Sequence, residues 1–155
     1  MALKIVKRIP SINNPAWTGN FRDDPVQILL ARMIYGEARD ARLSDLSRIA
    51  VAYVARNRLI KGGFGKTYHD VILKKFQFSC FNQNDPNRKV LEDPLRDNGR
   101  DRIAWLRCYA LAAKVIKGAV PDPTHGALYY HSGPTPRYLK KHRFLVQIDS
   151  LRYYL

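Results

Sequence analysis

Glu37 stands where an apolar residue belongs. Val26, Leu29, Leu30, Met33 and Glu37 recur at the three- and four-residue spacing of one helix face, so the carboxyl lies on the stripe that should meet a core. Glu92 is the only other glutamate; the remaining eleven of the 13 acidic residues are aspartates. A carboxylic acid held against apolar neighbours loses the hydration of its charged form, which raises its pKa from about 4.3 toward neutrality. A proton donor working near neutral pH needs that state. A solvated Glu at a fraying helix end, flanked by Gly36 and Ala38, is the competing reading of the same spacing.

The elements that must position this carboxyl are legible in outline. Asp23-Asp24-Pro25 predicts a helix start, with an Asp cap and Pro at the first helical position, and the helix should run to about Arg39. A second helix is expected from Ser44-Asp45 to Lys61, with Asp45 as cap and Leu46, Ile49, Ala50, Tyr53 and Val54 turned to the core. Asn57 falls on the same face, either as a satisfied structural amide or as a brace beneath Glu37. A short helix around His69–Lys75 precedes a polar loop over residues 76–99, long enough to suggest a functional surface. A third long helix is expected from about Arg100 to Lys117, turning Ile103, Leu106, Ala110, Ala113 and Ile116 inward, with Gly118 as its stop. Two β-like runs follow, residues 127–131 and 144–148, separated by Pro134, Pro136 and the basic run Lys140-Lys141-His142-Arg143. The pattern predicts a mainly helical α+β domain over residues 23–155 with a small β region near the C-terminus, preceded by an extended N-terminal arm, residues 1–22.

At 155 residues and 46% apolar content, the chain supports one globular core. It has no run of about 18 apolar residues to span a bilayer, and its first ten residues, broken by Lys4, Lys7 and Arg8, contain no secretory core. Twenty-seven Lys and Arg against 13 acids give a net charge of +14, which favours a polyanionic target: nucleic acid, anionic lipid, lipopolysaccharide or an acidic wall polymer. Cys80 and Cys108 lack metal-site spacing and read as reduced core thiols, a single bridge being the alternative.

Four stretches in order carry a more specific pattern: Ile34-Tyr-Gly-Glu-Ala-Arg39, Ile49-Ala-Val-Ala-Tyr-Val-Ala-Arg-Asn-Arg58, Phe76-Gln-Phe-Ser-Cys80 and Asp122-Pro-Thr-His-Gly-Ala-Leu-Tyr-Tyr130, with Lys141-His-Arg-Phe144 as a closing motif. Together they resemble the SleB-type cell wall hydrolases, the family of the spore-cortex-lytic enzymes and related phage lysins. The resemblance spans roughly residues 25–148 and departs at His131, where the family's tyrosine motif usually continues with Asn. It implies a lysozyme-like fold, bacterial peptidoglycan as partner, Glu37 as the catalytic acid, and no cofactor. It also makes Ser79 and Tyr130 candidate substrate contacts, Ser79 by bonding an acetamido group, and His142 falls in the closing motif. By side-chain chemistry Phe78 can stack on a pyranose, and of Tyr129 and Tyr130, which point to opposite faces of a β-like run, one is expected to enter the core and the other to meet a sugar ring; ordinary packing is the competing reading for each.

Glycoside cleavage usually needs two carboxylates. Asp40 looks ion-paired to its arginine neighbours and Asp45 looks like a cap, so a one-carboxylate lytic transglycosylase is favoured over a hydrolytic muramidase. A zinc amidase built from His69, His125, His131 and His142 lacks any close ligand spacing. A nucleic-acid-binding protein fits the charge, but no zinc finger, aromatic nucleic-acid motif or basic helix is visible, so no specific nucleic acid is expected. Anionic wall polymers or outer-membrane anions account for the charge equally well. The expectation is a monomeric endolysin of phage or prophage origin, made in the cytoplasm and reaching the wall through holin-type release or as part of a virion.

Overall fold

The computed structural model describes Leu3 and residues 6–75, 77–96 and 101–155. Its centre is helix α1 (Val26–Ala38), which packs against α2 (Asp45–Lys61), α3 (Tyr68–Leu73), α4 (Arg88–Glu92) and α5 (Arg102–Lys117). Residues 28 to 35 of α1 are buried without interruption, so this helix is enclosed on every side rather than amphipathic. That enclosure extends to Arg32, whose side chain is fully buried. Its guanidinium binds both carboxylate oxygens of Asp24 at 2.8 and 3.1 Å and donates to the carbonyls of Leu91 and Pro15. Asp24 is therefore committed to Arg32, and Pro25, not an aspartate, occupies the N-cap.

Ser44 caps α2 by accepting from Ser47 N–H. Asp45 instead pairs with Arg48 and Arg107. The buried face of α2 includes Ser47, Arg48, Val51, Val54, Ala55 and Arg58, whereas Leu46 is 50% exposed. On α5 the buried set is Trp105, Cys108, Leu111, Ala112 and Val115, and Ile103 is 76% exposed. On α2 the expected Ala50, Tyr53 and Val54 are buried, and the face widens to take in Ser47, Arg48 and Arg58 in place of Leu46; on α5 the inner face is rotated from the expected one, with Trp105, Cys108, Leu111, Ala112 and Val115 inward. Gly118 ends α5 in the left-handed conformation at φ 65°. The expected start at Arg100 lies outside the described residues.

The polar stretch after α3 is more ordered than its composition suggests: a 3-10 turn (Ser79–Phe81) and α4 interrupt it, anchored by buried Cys80 and Leu91. The C-terminal region forms a three-stranded antiparallel sheet of β1 (Tyr129–Ser132), β2 (Phe144–Ile148) and β3 (Leu151–Tyr154), in the order β1-β3-β2. The last, unanticipated strand is central, with Tyr130 opposite Tyr153 and Ile148 opposite Leu151. Asp149, at φ 50°, turns the chain between β2 and β3. Its Oδ2 accepts from Ser44 N–H and from the hydroxyls of Ser44 and Ser47, fastening the sheet to the start of α2. Residues before the 3-10 turn at Phe21–Asp23 form no helix or strand among those described, yet they are tied down. Trp105 Nε1 donates to Ile12 O at 2.9 Å, and Trp17 N–H donates to Glu92 O at 2.7 Å.

Candidate active site

Glu37 sits in the last turn of α1, where the enclosed helix emerges from the core. Its side chain is half-buried, and Oε1 is shut off from solvent without a hydrogen-bond partner. Burial drives its pKa upward; the Cys80 thiol and N–H and the Tyr130 hydroxyl oppose part of that shift, and Asp85 adds to it. The neighbours are perturbed in turn: burial and the adjacent carboxyl raise the pKa of both Cys80 and Tyr130, keeping each protonated. The close approach depends on Gly36. A Cβ there would lie 2.9 Å from Cys80 Cβ and Sγ and 2.8 Å from Leu91 Cδ2.

Three concavities meet at Glu37. A 330 Å³ recess runs toward Arg39 and Asn87, where Arg39 donates to Asn87 Oδ1 at 2.8 Å. A 450 Å³ arm passes Asp40, Leu43, Ser132 and Asp149. The largest, 640 Å³, is walled by Arg58, Gln77, Ser79, Tyr129, Tyr130, His131 and Tyr138. Such volumes suit a ligand of several rings, and the branching suits a chain with side groups. The two acids that share the 450 Å³ arm with Glu37 are occupied. Asp40 is held at a pKa of about 2, first by the Arg42 side chain and then by its N–H. Asp149 is kept low by the Ser47 hydroxyl and by Ser44.

The profile of the cell wall hydrolase family matches residues 44–154. The chain belongs to that family. Among solved structures, this hydrolase is similar to the catalytic domain of the germination-specific lytic transglycosylase SleB from Bacillus anthracis, at 22% identity and a TM-score of 0.63 over 84% of this chain and 93% of that one. It is also similar to the catalytic domain of the Bacillus cereus SleB protein, at 24% identity and a TM-score of 0.54 over 84% and 88%. No curated protein sequence matches it. The expected mainly helical architecture with its small terminal sheet is therefore a SleB-type fold. Glu37 precedes the matched segment, so the family match does not bear on it.

The remaining sequence candidates divide. Ser79 is exposed on the cleft wall. Tyr129 and Tyr130 both line the cleft: the Tyr130 ring packs on Phe78 and Tyr153, and the Tyr129 ring lies 4.3 Å from that of His142. His142 thus reaches the cleft through Tyr129. Phe78 is only 2% exposed, behind Tyr130 and Arg58, and cannot offer a face to a sugar; the expected stacking role is corrected to core packing. Asn57 braces the turn before β1, donating to Asp122 Oδ2 and Ala127 O, rather than any loop beneath Glu37. His131 lines the cleft wall opposite Arg152 in the sheet register. Among the described residues, no three of His, Cys, Asp and Glu converge as a metal-binding group. Cys80 and Cys108 are both buried and unpaired, and burial pushes Cys108 up to about 12. Three cleft residues escaped the sequence reading: Arg58, Gln77 and Tyr138. The first two stand inside quoted motifs, but only the fold brings them together; Tyr138, 60% exposed, carries no periodic mark at all.

Proposed function

We propose that this cell wall hydrolase cleaves the MurNAc–GlcNAc bond of peptidoglycan glycan strands as a lytic transglycosylase, with Glu37 as its catalytic residue. The observation that carries this reading is the position of Glu37 at the junction of three cleft arms, with its Oε1 buried and unpartnered behind the cleft surface and its pKa raised by burial, beside Asp40 and Asp149, which are committed elsewhere. Protonated Glu37 donates to the bridging oxygen as the glycosidic bond breaks. The resulting carboxylate accepts the proton of the muramic acid 6-hydroxyl, whose oxygen attacks its own anomeric carbon and closes a 1,6-anhydro ring. An internal nucleophile gains from proximity and needs no positioned water. The name of the Bacillus anthracis neighbour agrees with this chemistry.

In this reading Ser79, Tyr129 and Tyr130 contact the strand, His142 fixes the Tyr129 ring, and Tyr138 offers an exposed aromatic face for a pyranose. The excess of 14 positive charges draws the enzyme to acidic wall polymers and peptide stems. A hydrolytic muramidase is the second reading, favoured only by Asp149, which shares the 450 Å³ arm with Glu37 and is ionised. Mass spectrometry of digested sacculi separates them: fragments lighter by one water, with anhydro-muramic ends, are expected. Reducing ends throughout establish the muramidase, and intact sacculi overturn the glycan-strand reading altogether.

A further inference from the structure

Gln77 stands on the wall of the 640 Å³ cleft that holds Glu37, and the orientation of its amide is fixed by chemistry. Arg58 Nη1 donates to Gln77 Oε1 at 3.1 Å. A guanidinium has donors only, so the oxygen end of the amide must face Arg58 and the NH₂ end must face away from it. Arg58 cannot easily move to allow a flip. It is 5% exposed, Nε donates to Leu128 O at 2.8 Å, and its Cζ lies 4.9 Å from the Phe78 ring centroid, 5.0 Å from that of Phe64 and 5.5 Å from that of Tyr129. No carboxylate pairs with it among the described residues. Charge-assisted donation to Oε1 draws electron density through the amide and strengthens the NH₂ as a donor.

We propose that Gln77, oriented by Arg58, is a specificity-determining residue that donates to the acyl carbonyl of an N-acetylated amino sugar, so that the cleft selects N-acylated glycan over its N-deacetylated form. The proposal rests on the glycan-strand reading above. A deacetylated glucosamine presents an ammonium, which has donors only, to an amide NH₂ that also only donates. The buried guanidinium behind Gln77 adds a like charge in poorly screened surroundings. Ser79 on the same wall cannot make this distinction, because a hydroxyl both donates and accepts.

The experiment compares kcat/KM on sacculi from one preparation, half of them chemically N-deacetylated, for the full chain and its Gln77→Leu, Gln77→Glu, Arg58→Lys and Ser79→Ala variants. The wild type should prefer acetylated wall by about tenfold, the scale of one good hydrogen bond. Gln77→Leu should bring that ratio close to one, mainly through KM on acetylated wall, and Gln77→Glu should favour the deacetylated form. Arg58→Lys should narrow the preference as well; a purely structural role would slow both substrates equally and leave the ratio untouched. Gln77 is half-buried at the surface, so its variants remain readable if Arg58→Lys fails to fold. A wild-type ratio near one, a ratio unmoved in Gln77→Leu, or a ratio moved only by Ser79→Ala overturns the proposal. Wild-type enzyme inert on both walls refutes the glycan-strand reading instead, and the two failures are distinct.

Discussion

Replacing Glu37 by Gln should inactivate the enzyme and, at the same time, stabilise it. The carboxyl occupies a site where Oε1 is buried without a protein hydrogen-bond partner, and burial raises its pKa. Between the ordinary carboxyl pKa and that raised value, the folded chain binds a proton that the unfolded chain has released, so stability falls as pH rises through this window. Each pKa unit of such a shift corresponds to about 1.4 kcal/mol. Gln keeps the shape and removes the charge, although its amide inherits the missing partner. Relief of the buried charge outweighs that cost, so the variant should melt above the wild type at pH 8, where each additional kcal/mol moves the Tm of a chain of this length by about 2–4 °C. Below about pH 4, where both states are protonated, the two proteins should melt together. Clearance of sacculi should drop by about 10³-fold or more, near 4 kcal/mol of transition-state stabilisation. Melting curves at pH 4 and pH 8, run beside turbidity assays, test both halves. A variant that is destabilised equally at both pH values, or that clears sacculi at the normal rate, refutes the reasoning. Wild-type activity should also decline as pH rises past the elevated pKa, since the proton donor is then lost.

Other outcomes follow from the same packing. Gly36→Ala should cost about 1–3 kcal/mol in a thermal melt, because its new methyl meets Cys80 and Leu91 inside 3 Å and neither can retreat from the core. Asp24→Ala should cost about 3–5 kcal/mol by chemical denaturation, because it leaves the fully buried Arg32 guanidinium without its counter-charge. Tyr138→Ala should raise KM on sacculi several-fold with kcat nearly unchanged, whereas Tyr138→Phe should behave as wild type if the ring face is what matters.

The burial of the Glu37 carboxyl was readable because a glutamate on an apolar stripe contradicts the local pattern, and such contradictions mark candidate sites. The limits of α2 and the glycine stop of α5 were equally plain, since caps and stops are local chemistry. The inward faces were legible only in part: Ala50, Tyr53 and Val54 of α2 are buried as expected, whereas the expected face of α5 is not. Arg48 and Arg58 lie inside α2 while Leu46 lies outside, because buried carbonyls and aromatic rings receive the guanidinium groups; hydrophobicity ranks these residues the wrong way round. Strand β3 escaped because four residues after an Asp-Ser turn make a weak pattern without the neighbours that flank it. The Arg58–Gln77 pair spans 19 residues of sequence and exists only once α2 and the turn before Ser79 are side by side.

Residues 12–17 lead to a practical conclusion about how far this protein can be trimmed. The family profile starts at Ser44, yet the indole of Trp105 and the guanidinium of Arg32 both end on carbonyls supplied by Ile12 and Pro15. Trimming the protein to the profile would remove α1 entirely; trimming it only to Phe21 would still strip hydrogen-bond acceptors from two of its most deeply buried side chains. A version that keeps residues 12–17 should therefore melt higher than one that begins at Phe21. Shortened or fused versions of the enzyme should keep these residues.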